Sequence, residues 1–133
     1  MSELGRSRHQ ARERALEIFY EATIKERTAT VIVAELNVRP DNYVIALLTS
    51  AEENQARANE LMSEFSIDWP LERIALIDRL IMTLAIGEML MEDAPPLAVI
   101  LDEAVEMAKV FSTDGSSSYV NGVLSSVAQR VLG

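Results

Sequence analysis

The sequence predicts an all-α protein, a compact helical bundle, on three observations. Apolar residues recur at three- and four-residue steps in every long segment. One stretch, WPLERIALIDRLIMTLAIGEMLM from Trp69 to Met91, is apolar around nearly its whole helical circumference. The one β-branched run, residues 30–38 (TVIVAELNV), has no second strand to pair with and is expected as a short helix.

The stretch 69–91 is the organising element. Pro70 suits the first turn of a helix, where its missing N–H removes no hydrogen bond, and Pro95-Pro96 ends the run. Only Glu72, Arg79, Thr83 and Gly87 align as a narrow polar stripe. A helix apolar almost all round is either a buried central helix or a membrane span. Asp78, Arg79 and Glu88 argue against a span, because each is costly at the bilayer centre. The other helices are therefore expected to pack around this one.

A first helix is predicted over 7–24, with Ala11, Ala15, Ile18, Phe19 and Ala22 on one apolar face. Arg39-Pro40-Asp41 forms a turn, and Asp41 or Asn42 caps a long helix to about Phe65. Its inner face carries Val44, Leu47, Leu48, Ala51, Ala58, Leu61, Met62 and Phe65. Residues 66–68 link to the central helix, with Asp68 or Trp69 near its cap and Trp69 anchoring the join. Leu97 to Phe111 follows, burying Ile100, Ala104, Met107, Ala108 and Phe111. Asp102, Glu103 and Glu106 make its solvated acidic side, and Glu106 is spaced to pair with Lys109. Residues 112–118 read as a polar loop. The last helix turns Val120, Val123, Leu124, Val127 and Val131 inward, with Tyr119 off the centre of that stripe. Gly122 in its first turn allows close approach of a helix or a ligand.

A chain of 133 residues, 49% of them apolar, forms one domain over 1–133 and needs no disulfide or metal for its core. It has no cysteine and one histidine, His9, so thiol catalysis, Cys-bound metal and a His-based metal site are not expected. No apolar stretch follows the N-terminal arginines, so no signal peptide is expected, and a reducing cytosol is compatible. Net charge is −9, but unevenly placed. Residues 1–14 hold four arginines against two glutamates, a net +2, which leaves −11 for the other 119 residues. Repulsion from that acidic body is screened beyond about 8 Å at physiological salt, so a basic arm can still act on an anion locally.

Two places carry candidate function. On one flank of the first helix lie Arg8, His9, Arg12 and Tyr20, within about a third of the circumference at roughly 100° per residue. Arginines beside an aromatic ring can hold phosphates and stack a base. The alternative is a solvated charged flank with Tyr20 at the core edge. Asp78 lies off the polar stripe with no basic residue three or four positions away. It is either a carboxylate bonded to an arginine elsewhere in the fold or a contact for a protein partner.

The segment VILDEAVEMAK (99–109), followed by Ser116 and then YVNGVL from Tyr119, resembles the signature of the NusB family of bacterial transcription antitermination factors. RHQARERAL from Arg8 fits it too, as do Ile77-Asp78-Arg79-Leu80 and Leu84-Ala85-Ile86-Gly87-Glu88. The resemblance implies two small helical sub-bundles, no enzymatic activity, no cofactor and a cytoplasmic protein. It implies binding to boxA-type single-stranded RNA of ribosomal RNA leaders, jointly with the ribosomal protein NusE, within a transcription elongation complex. Carried over by position, the RNA surface is Arg6, Arg8, His9 and Arg12, with Tyr20 and Tyr119 as aromatic contacts, and Asp78 meets the protein partner. Relatives occur as monomers and as dimers. The sequence departs from the family at His9 and Gln10, where a continuous arginine run is common, and at Ala98, Asp102 and Gly115, where Lys, Asn and an acid are frequent.

Two other functions compete. NusB-like domains also precede RNA methyltransferases as RNA-guiding modules, but no Gly-rich cofactor loop occurs in this sequence. A helical module that binds only protein would also suit the acidic body.

Overall fold

The computed structural model describes residues 2–66 and 69–133. Among them are seven α-helices and no strand: α1 (Glu3–Ile24), α2 (Ala29–Glu35), α3 (Asn42–Glu53), α4 (Gln55–Phe65), α5 (Leu76–Met89), α6 (Leu97–Phe111) and α7 (Ser116–Leu132). Helix α5 is the hub, touching α1, α3, α4, α6 and α7. On one side of it α1, α2 and α3 pack together; on the other α7 packs on α4 and α6. These are the two expected sub-bundles. Every residue of α5 from Leu80 to Met89 is buried.

Local chemistry sets the ends. Ser2 caps α1 by accepting the Gly5 N–H at 2.9 Å. Its C-terminus closes with Arg27 N–H donating to Ala22 C=O and Glu26 N–H to Thr23 C=O, and Glu26 adopts φ 55. Thr28 caps α2, and Glu52 of α3 accepts the Ala29 N–H at 2.9 Å, which ties α2 down. Asp41 caps α3 through the Tyr43 N–H at 2.8 Å. Gly115, at φ 87, makes the left-handed turn into α7.

The expected stripes of the first helix, the long helix and the last two are buried or half-buried, except Phe111, which is exposed on the outer side of the α6 C-terminus. Five boundaries or placements differ from expectation, the first being that α1 begins at Glu3 rather than at residue 7. The single long helix breaks at Asn54, whose side chain donates to the Ser50 carbonyl at 2.8 Å, so α3 and α4 are separate. The central helix begins at Leu76, not Pro70: Leu71–Arg73 is a 3-10 turn, and Ile74 and Ala75 are extended so that Ile74 reaches the core. Trp69 is half exposed and does not anchor the join; Ile67 and Asp68, the rest of that link, lie outside the described residues. Residues 116–118 belong to α7 rather than to a loop.

Past the half-buried Arg79, the polar stripe of α5 turns away from solvent. Thr83 and Gly87 are buried, and Thr83 donates its hydroxyl to the Arg79 carbonyl at 2.8 Å. A Cβ on Gly87 would lie 2.9 Å from the backbone nitrogen of Ala51, so glycine lets α3 cross α5 at backbone distance. Ser50 completes that crossing by donating to the Gly87 carbonyl at 2.7 Å. Gly122, by contrast, has open space where its Cβ would be.

Candidate nucleic-acid interface

Arg12 lies inside the protein, only 4% exposed, and not on an outer flank. Its Nε and Nη2 donate to Glu88 of α5 at 2.9 and 2.7 Å, and its Nη1 donates to Glu103 of α6 at 2.8 Å. Burial alone would lower the Arg12 pKa; the bonds and charge of Glu88, and the charge of Glu103, outweigh it and raise it. Both edges of the guanidinium are engaged. Three of its five N–H donors go to carboxylates and the group is buried, so Arg12 is out of reach of a phosphate, and its place among the expected RNA contacts is corrected to a core position joining α1, α5 and α6. Glu103, expected on a solvated face, is part of the same network.

Two further side chains complete it. The Tyr43 hydroxyl donates to Glu88 Oε2 at 2.5 Å. Burial, then the bond to Glu88, pushes the Tyr43 phenol up to about 12, so it stays a donor across ordinary pH. His9 Nδ1 lies 2.9 Å from Glu103 Oε2, and its Nε2 lies 3.4 Å from Glu13. The hydrogen bond to Glu103 raises the His9 pKa above its ordinary value. Glu88 and Glu103 exceed Arg12 by one negative charge, which protonated His9 balances.

Arg8 sits at the outer end of this network. Its guanidinium carbon lies 3.7 Å from the centre of the Tyr43 ring, a cation–π stack. Arg6 is exposed one turn from the helix start, and Tyr20 is exposed rather than at the core edge. The sequence reading paired Arg8 with Tyr20; the fold stacks it on Tyr43 of α3, which that reading passed over.

Asp78 and Tyr119 belong to a second place, a cleft of about 350 Å³ between the starts of α5 and α7, lined also by Trp69, Arg73 and Thr113. Asp78 is buried, and Ser116 donates to its Oδ2 at 2.9 Å. No arginine holds it among the described residues, so that bland expectation fails. Its Oδ1 is buried without a hydrogen-bond partner. Position in the first turn of α5 offsets part of the cost, since the helix N-terminus favours negative charge. Ser116 has one proton, given to Asp78, so it accepts from Ser112 and Thr113 at 3.0 and 3.1 Å. Tyr119 is bonded through its hydroxyl to Ser66, which in turn donates to the Trp69 carbonyl at 3.0 Å. That fixes the Tyr119 ring at the cleft wall.

Chemically, the first place presents cations near the start of α1, with the exposed Tyr20 ring about three turns further along the same helix. The second presents a buried acceptor beside aromatic walls. Among the described residues no group of His, Asp and Glu could hold a metal, and no helix is long and apolar enough to cross a membrane.

A buried central helix, a first helix locked onto it through Arg12 and a cleft beside it define an all-helical class of protein. The comparisons with known proteins agree. The NusB family model matches residues 9–129. Transcription antitermination protein NusB of Thermobifida fusca is 36% identical over 93% of this chain and 90% of its own, and that of Natranaerobius thermophilus is 35% identical over 94% and 96%. T. maritima NusB superimposes with a TM-score of 0.82 at 27% identity, covering 92% of this chain and 90% of its own. A crystal structure of antitermination factors NusB and NusE in complex with dsRNA contains a chain that shares the fold, with a TM-score of 0.79 at 18% identity over 94% and 98%. The chain belongs to the NusB family.

Proposed function

We propose that this chain is a transcription antitermination factor of the cytoplasm that binds boxA-type single-stranded RNA jointly with the ribosomal protein NusE, and that it works by assembly rather than catalysis. The observation that carries the reading is the family match over residues 9–129. The geometry supports it: Arg8 and Tyr20 are accessible on α1, where phosphate contact and base stacking are open to them, while Arg6 is exposed and His9, facing Glu103 and Glu13, is half-buried on the same helix. Tyr119 is the aromatic candidate of the second place. Asp78 lines the cleft and its buried Oδ1 has no donor, so a protein partner that opens the cleft wall would supply one.

The test is a gel shift with a boxA-type RNA, with and without NusE, alongside light scattering for the oligomeric state. Wild-type protein should bind this RNA more tightly than a scrambled one, and more tightly again with NusE present. Equal binding of the two RNAs with NusE present would overturn the reading. Asp78→Asn keeps an acceptor for Ser116 but turns a donor toward the cleft. It should weaken NusE binding while leaving RNA binding in the absence of NusE unchanged; unaltered NusE affinity would make Asp78 a purely structural carboxylate.

A further inference from the structure

We infer that Tyr43 is a positioning residue for Arg8, holding its guanidinium by the face so that its N–H edge stays open to an RNA phosphate. This rests on the RNA-binding reading and adds to it a residue that touches no RNA.

The difference between Arg8 and Arg12 carries the inference. Arg12 is buried and held edge-on by carboxylates, which take three of its donors and keep the rest inside the protein. Arg8 is held by a ring at 3.7 Å and makes no ion pair within 4.0 Å among the described residues. A ring engages the flat face of a guanidinium and leaves its five in-plane N–H donors free. A phosphate takes two of these in a fork.

The ring is itself held. Its hydroxyl is pinned to Glu88, and Glu88 is fixed by two bonds from Arg12. The outer cation thus stands on a footing made in the core by α3, α5 and α1. A flexible arginine must lose side-chain freedom when it binds a phosphate, and stacking removes that freedom beforehand.

The test measures affinity for the boxA-type RNA, with NusE present, for Tyr43→Leu, Tyr43→Phe, Arg8→Ala, Arg8→Lys and the double variant Arg8→Ala/Tyr43→Leu. Tyr43→Leu should weaken binding roughly two- to tenfold. Tyr43→Phe, which keeps the ring, should stay within about twofold of wild type. In the Arg8→Ala background, Tyr43→Leu should cost nothing further. Arg8→Lys, which keeps the charge without the planar fork, should lose as much as Tyr43→Leu; this arm decides the matter should Tyr43→Leu fail to fold. An equal loss from Tyr43→Leu with and without Arg8, or wild-type affinity in Arg8→Lys, overturns the inference alone. Failure of the wild type to prefer this RNA over a scrambled one overturns the RNA-binding reading and the inference with it.

Discussion

Arg8 and Arg12 are one helical turn apart and do opposite work, which spacing alone does not show. Arg12→Ala leaves Glu88 buried without its counter-charge and should cost about 3–5 kcal/mol of stability. Arg8→Ala should stay within about 1 kcal/mol of wild type, because only a surface stack is lost. Chemical denaturation of the two variants checks the contrast. His9 adds a pH dependence. Its folded pKa lies above the ordinary 6.5, raised by the bond to Glu103. The stability it contributes is therefore fully present below 6.5 and lost as pH rises through the folded value. Thermal melts from about pH 6 to about pH 8 should show wild-type protein losing stability relative to His9→Gln. A flat difference would place His9 outside the network. Glu88 did carry a sequence signal, a carboxylate set deep in an apolar helix, where it needs a buried cation. Tyr43, half-buried between two ordinary helix-start residues, carried none.

At the level of elements, glycine separates packing from surface. Gly87→Ala puts a methyl group 2.9 Å from the Ala51 backbone nitrogen, and backbone cannot step aside cheaply. It should cost about 1–3 kcal/mol. Gly122→Ala meets nothing within 4 Å and replaces a helical glycine, so it should add roughly 0.5–1 kcal/mol. Denaturant midpoints of the two variants test both signs at once. The sequence stripe through Thr83 and Gly87 was real as a spacing, and the fold uses it as a seam: a small residue and a self-satisfied hydroxyl pack as readily as they face water. Periodicity placed α1, α6 and α7 because each buries one continuous face, and α2 followed from the lack of a second strand. It missed the start of α5 because Ile74 is buried from an extended backbone, where a helical count still fits. It missed the break at Asn54 because the apolar face runs on through it.

For the whole molecule, the acidic total and the RNA reading are reconciled by position. The sequence reading set three arginines, 6, 8 and 12, against the RNA, and the fold takes Arg12 into the core. Arg8→Ala should flatten the log–log salt dependence of RNA binding by about 0.7, with no second step from Arg12. Titrations across a salt series measure this; a slope unchanged in Arg8→Ala would remove Arg8 from the RNA surface. The all-helical class and the arm-against-body charge pattern were legible in the sequence. The conversion of one arginine from contact to core was not, because it depends on α5 and α6 bringing Glu88 and Glu103 to the same spot.

Positions 12 and 88 stand 76 residues apart in the chain yet share one buried pair of charges. Neither can drift by itself without stranding the other. Among descendants of this sequence the two should change together or not at all, and Tyr43, which hangs from the same carboxylate, should follow their fate more closely than that of its own neighbours in α3.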